Sequence, residues 1–178
     1  MSDTRDHRPS AVSPWVRRFA GLIPAGGPVL DLAAGGGRHT RFLLDLGYRV
    51  TAVDRDVSAL AELRDRPEAT ILTVDLEDGG PWPLEGHRFA GVVVTNYLHR
   101  PLLPHLVASV APGGCLIYET FAVGNERFGK PSNPDFLLRP GELLESVRGE
   151  LIVIAYENLQ IAEPKPAVVQ RIAAVRGS

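Results

Sequence analysis

Three consecutive glycines, Gly35, Gly36 and Gly37, separate the apolar run Val29–Leu32 from a helical pattern that begins at Arg38. Glycine takes positive φ and lets backbone approach a ligand closely, and the helix start that follows offers free N–H groups. A strand–turn–helix unit of this kind belongs to few architectures, and the rest of the chain narrows them. β-type runs at Arg49–Val53, Thr70–Val74, Phe89–Thr95 and Gly114–Thr120 alternate with helical patterns at Arg38–Leu46, Val57–Arg64, Leu102–Val110 and Gly141–Val147. That alternation predicts βαβ units and a parallel sheet. Too little chain joins the third and fourth runs for a full crossover helix, so a turn or short helix is expected there. Upstream, Ser13-Pro14-Trp15 has an N-cap serine and a first-turn proline, with Trp15, Phe19 and Leu22 at helical spacing.

The end of the chain breaks the alternation. Leu151–Tyr156 and Val168–Val175 are β-like, but Glu163-Pro164-Lys165-Pro166 between them has no helical period. Without a crossover helix these two strands must pair antiparallel. The expected fold is therefore an α/β sandwich with a mostly parallel seven-stranded sheet and a C-terminal antiparallel hairpin. A dinucleotide-binding Rossmann domain would instead continue with another βαβ unit.

A chain of 178 residues with 44% hydrophobic and 22% charged residues suits a single domain, here residues 1–178 with a loose tail at 1–12. The formal net charge of −2 and the lack of a basic block argue against a nucleic-acid partner. One cysteine, Cys115, cannot form an internal disulfide, and no Cys/His spacing predicts a metal. No apolar run approaches the roughly 20 residues of a membrane span, and the N-terminus has no apolar leader pattern. A cytoplasmic location without membrane contact is expected; an oligomer is compatible with the sequence.

Asp54 closes the second β-run, where a carboxylate accepts ribose hydroxyls. The dinucleotide fingerprint starting at Gly35 would need glycine at position 40, which is Thr40, so a nicotinamide-dependent oxidoreductase is disfavoured. Val29 to Thr40, read as Val-Leu-Asp-Leu-Ala-Ala-Gly-Gly-Gly-Arg-His-Thr, resembles motif I of the class I S-adenosylmethionine-dependent methyltransferases. Ala33 stands where that family commonly has glycine. Other family features follow in register: Asp54, Val74-Asp75-Leu76, Val94 to His99, and the turn Ala111-Pro112-Gly113-Gly114 before the fifth run. Gly35 to Thr40 and the short length are also similar to the tellurite-resistance methyltransferases. The resemblance implies a Rossmann-like class I methyltransferase sandwich with S-adenosylmethionine as cofactor. It implies a cofactor site of Asp31, Ala33, Gly35, Gly37, Asp54, Arg55, Asp75, Leu76 and Asn96, with Asp75 and the Leu76 N–H meeting adenine.

Methyl transfer from a sulfonium is an in-line displacement, so alignment and water exclusion matter most, and a base only when the acceptor must lose a proton. Asn96, Tyr97 and His99, at the tip of the fourth strand, are the catalytic candidates that would face the methyl group. His99 suits a general base, and equally a cap on the next helix. Asn96 to His99 lacks the Asn/Asp-Pro-Pro-aromatic signature of many amino-group methylases of DNA and protein. A small-molecule acceptor is the leading expectation, with RNA or protein as the alternative. Several positions carry two readings. Ala122–Leu138 is a lid or a proline-pinned connector. Trp15 with Arg17 and Arg18 covers the cofactor or packs in the core. Arg38 and His39 steer the cofactor carboxylate or face solvent. Trp82 flanks adenine or pins a turn.

Overall fold

The structure is a computed structural model, and it describes residues 11–178. Residues 1–10 of the expected loose tail lie outside the described residues; Ala11 and Val12 adopt no regular element. Helix α1 (Pro14–Phe19) starts as the sequence predicts, with the Ser13 hydroxyl accepting from the N–H groups of Trp15 (3.1 Å) and Val16 (3.3 Å). Strand β1 (Pro28–Leu32) leads through the glycine turn into α2 (Arg38–Asp45), followed by β2 (Arg49–Asp54) and β3 (Ala69–Thr73). Then come β4 (Phe89–Thr95), α3 (Leu103–Ala108), β5 (Val110–Phe121), α4 (Glu142–Val147), β6 (Ile152–Ile161) and β7 (Ala167–Val175).

All seven strands form one sheet in the order β3-β2-β1-β4-β5-β7-β6. The first five are parallel; β7 runs antiparallel to both β5 and β6. Both faces of the sheet are covered, as parallel strands require. Leu30, Leu32, Val92, Val94, Leu116 and Tyr118 pack with α3 and α4 residues on one face. Their alternating neighbours Val29, Val93, Cys115 and Ile117 pack with α1 and α2 residues on the other. Among the described residues no helix is long and apolar enough to cross a membrane.

Two expected elements differ, and the connection between β3 and β4 is the expected turn. The pattern Val57–Arg64 folds as a 3₁₀ segment, Ser58–Leu63, not an α-helix. Its buried residues, Leu60 and Leu63, are three apart, the repeat of a 3₁₀ helix, and Pro67 leaves no room for more turns. The pattern Leu102–Val110 divides into a 3₁₀ turn (Arg100–Leu102) and the short α3, because Pro101 and Pro104 each start a new segment. Its last residue, Val110, instead opens β5 opposite Phe89. No helix forms between β3 and β4; turns span 74–88.

Candidate active site

The sheet order reverses between β1 and β4, and in open α/β folds the ligand crevice lies beyond the strand ends at that point. Among the described residues, the two non-glycine residues with positive φ sit on these two strand ends: Ala33 (φ 55°) after β1 and Asn96 (φ 53°) after β4. Left-handed backbone costs a side chain about 1 kcal/mol or more. Ala33 thus takes the conformation glycine would adopt there freely, and asparagine tolerates it better than most residues. A side chain at Gly37 (φ 77°) would be strained, and its Cβ, 2.1 Å from Leu60 Cδ2, would force the buried Leu60 side chain to move.

Three side chains hold the turn. Asp54 accepts from the Gly35 N–H (Oδ2, 2.8 Å) and from the Asp56 N–H (Oδ1, 3.0 Å), so its carboxylate lies against the turn at the end of β2. Asp31, 1% exposed beneath the turn, accepts from the Thr40 hydroxyl at 2.6 Å. Burial raises its carboxyl to a pKa of about 6 against the opposing pull of the Thr40 hydrogen bond. Arg41 donates to the Gly36 carbonyl (2.6 Å) and the Ala59 carbonyl (2.7 Å) and pairs with Glu62. The sequence reading missed Arg41. Its position one helical turn beyond Gly37 is the only signal that it returns to the glycines.

Beyond the turn opens a cleft of about 340 Å³, within the range of small-ligand pockets. Ala33, Asp54, Arg55, Asp75, Leu76 and Tyr97 line it, joined by Glu77 and by Phe136 from the segment after β5. Of the other nominated cofactor residues, Gly35 and Gly37 shape the turn, and Asp31 supports it from below. Asn96 is exposed at the strand tip, and its N–H donates to the Glu119 carbonyl at 2.9 Å. His99 is half-buried outside the cleft lining, and its side chain makes no capping hydrogen bond.

Tyr97 is fixed from behind: the buried Tyr118 hydroxyl donates to its carbonyl at 2.7 Å. Its own hydroxyl is buried without a hydrogen-bond partner among the described residues. Burial, then the neighbouring Glu77 charge, pushes the phenol well above its ordinary range. Such a phenol donates a hydrogen bond but does not serve as a base.

Several dual readings resolve here. Trp15 is core: 2% exposed, its indole N–H donating to the Ile172 carbonyl at 3.1 Å. Trp82 stacks on His105 (centroids 5.5 Å apart) and packs in the core, away from the cleft lining. His39 is buried, not solvent-facing. Its Nε2 accepts from the Ser13 N–H at 3.1 Å, which leaves the proton on Nδ1, 3.3 Å from the Thr95 hydroxyl. Burial and then the Arg38 charge lower its pKa to about 4. Arg38 turns to the outer side of α2, donating to the Ala11 carbonyl at 2.9 Å. Arg100, next to His99, is bound to Glu142 and to carbonyls of the 122–138 segment. A neighbouring buried network also went unread: the Ser13 hydroxyl donates to Glu119 (2.7 Å), which pairs with Arg171 (3.0 Å).

Residues 29–114 match the family model described as "Methyltransferase domain". Over 100 residues the chain is 32% identical to trans-aconitate 2-methyltransferase of Paracidovorax citrulli, covering 53% of this chain and 38% of that protein. The chain spans well under half the length of the curated relatives it matches. Its fold is similar to TehB from Haemophilus influenzae, with a TM-score of 0.74 at 19% identity over 95% of this chain and 63% of that one. It is also similar to the glycopeptide N-methyltransferase MtfA, solved with S-adenosyl-L-homocysteine: TM-score 0.63, 25% identity, 94% of this chain and 91% of that one. With the strand order and the acid-and-glycine turn, these likenesses support a class I S-adenosylmethionine-dependent methyltransferase fold with S-adenosylmethionine as its cofactor.

Proposed function

We propose that the chain, as a single methyltransferase domain, transfers the methyl group of S-adenosylmethionine to a small-molecule acceptor by in-line displacement. One observation carries this reading: the cleft where the sheet order reverses is lined by Asp54 and Asp75 on adjoining strand ends and by Tyr97. Two carboxylates fit the hydroxyls and amino group of an adenosine, and the Tyr97 side chain walls the same cleft. S-adenosylmethionine, when bound, supplies an electrophilic methyl group. The remaining work falls to this chain. Asp54 accepts the ribose hydroxyls with the lone pairs not used by Gly35 and Asp56, while Asp75 and the Leu76 N–H orient adenine. Arg55 closes the rim. Ala33, Gly35 and Gly37 bring the backbone close, and Asp31 with Thr40 holds that turn rigid. Asn96 orients the acceptor beside the methyl group. His99 takes a proton from acceptors that must lose one. Tyr97, a catalytic candidate by sequence, serves the adenosine side, where it lines the cleft with Asp75 and Leu76.

The names of the relatives support a small acceptor: trans-aconitate is a small acid, and MtfA is named for a glycopeptide. RNA or protein is the other reading; an RNA acceptor calls for a basic track, and the formal net charge is −2. A cytoplasmic location accords with the single, buried Cys115. Calorimetric titration with S-adenosylhomocysteine tests the cofactor half of the proposal; absence of heat and of any melting shift refutes it. Labelled methyl from the cofactor, incubated with cell extract, is expected in small metabolites. Label confined to RNA or protein overturns the acceptor class.

A further inference from the structure

We infer that Arg100 is a positioning residue for the cofactor, clamping the segment Asp135–Leu137 so that Phe136 closes the adenosine side of the cleft. This rests on the S-adenosylmethionine reading of that cleft. The Arg100 guanidinium donates to both oxygens of Glu142, from Nε at 2.6 Å and Nη2 at 3.0 Å. The same fork donates to the Asp135 carbonyl (Nη1, 2.8 Å) and the Leu137 carbonyl (Nη2, 2.8 Å). These carbonyls flank Phe136, so the backbone is held on both sides of one residue. Glu142 is itself buried and anchored by the Arg139 N–H at 2.8 Å, so the clamp has a fixed base. Downstream, Leu138 is tied to Phe121 and Val123 through backbone hydrogen bonds of 3.0 Å each.

Phe136, so held, is 47% exposed, although it is a large apolar ring beside a well-packed core. It lines the cleft with Asp54, Asp75, Leu76 and Tyr97. A rigidly presented ring beside two carboxylates that suit an adenosine has the chemistry to cover the flat face of a purine, and base–aromatic contacts of this kind are sequence-tolerant and substantial. Only a planar fork with several donors holds a carboxylate and two carbonyls together; a lysine ammonium has no such geometry. The segment 122–138 thus acts at the cofactor through Phe136.

Calorimetric titration with S-adenosylhomocysteine and with adenosine tests this. Phe136→Ala is expected to weaken both ligands by a similar factor, about tenfold, with little change in melting temperature. Arg100→Ala is expected to lose as much, Arg100→Lys nearly as much, and the double variant Arg100→Ala/Phe136→Ala no more than Phe136→Ala alone. That lack of additivity is what a merely structural arginine would not produce. Unchanged affinity in Phe136→Ala, or fully additive losses in the double variant, overturns the inference. If the wild-type chain binds neither ligand, the cofactor reading itself fails and this inference with it. Phe136→Ala, a surface change, keeps the test open should Arg100→Ala fold poorly.

Discussion

The two halves of the sheet's carboxyl edge are held together by contacts of very different reach. On the β1–β2 side the ties are local: Thr40 to Asp31 spans nine positions and Gly35 to Asp54 spans 19. On the β4–β5 side they are long: Arg100 to Glu142 spans 42, Arg171 to Glu119 spans 52 and Ser13 to Glu119 spans 106. The first half is a motif that one stretch of chain can encode. The second exists only once the start of α1, α4, β5 and β7 have come together, and it carries polar groups from each. Local encoding fixes the turn against the cleft, whereas the long ties bring distant segments to the same edge, Arg100 holding Phe136 at the cleft.

The strongest way to break this contrast is Gly37→Ala. It places a methyl group 2.1 Å from Leu60 Cδ2 at a φ of 77°, and a loss of about 2–4 kcal/mol is expected. At roughly 2–4 °C per kcal/mol for a chain of this size, thermal unfolding reads it directly, and S-adenosylhomocysteine affinity should fall too. Arg171→Leu attacks the other half, stranding Glu119 and Glu157, which lie 3.0 and 2.8 Å from the guanidinium. A destabilisation of about 2 kcal/mol is expected with S-adenosylhomocysteine affinity within about twofold. A large affinity loss in this variant would show that the halves are not separable.

Asp54→Ala sharpens the cofactor side alone: at least about tenfold weaker binding, or about 1.4 kcal/mol, by calorimetry. Unchanged affinity would put the ribose elsewhere.

The smallest net effect lies in pH. Asp31 holds its proton up to about pH 6 in the fold, against 3.8 ordinarily, so its contribution is present below pH 3.8 and lost as pH rises through 6. His39, lowered to about 4 from 6.5, acts with the opposite sign, its contribution present above pH 6.5 and lost as pH falls toward 4. Between pH 4 and 6 the two oppose each other. The stability of Asp31→Asn relative to wild type should therefore rise with pH from about 4 to 6 and level off above that. Denaturant melts across this range check the trend, and a parallel pair of curves would mean Asp31 titrates normally.

Most of the frame was legible because its signals are periodic and short-range. The five parallel strands, the glycine turn and the terminal hairpin all read from runs of a few residues. The misreadings share a cause. Val57–Arg64 looks α-helical by pattern, yet its burial spacing and Pro67 favour a tighter turn. His39 and Trp82 carry chemistry that suits a cleft, but nothing in their neighbours records which way they point once the sheet has formed.

By itself, then, the sequence determined the strand–glycine–helix unit, the acids Asp31, Asp54 and Asp75 at successive strand ends, and the antiparallel close of the sheet. These depend on backbone freedom and hydrophobic period, which are properties of neighbouring residues. Tertiary structure alone decided that β7 lies between β5 and β6, that Ser13, Glu119 and Arg171 meet, and that Arg100 holds Phe136 at the cleft. Those outcomes are contacts between positions tens of residues apart, and only packing of the whole sheet brings them within hydrogen-bonding distance.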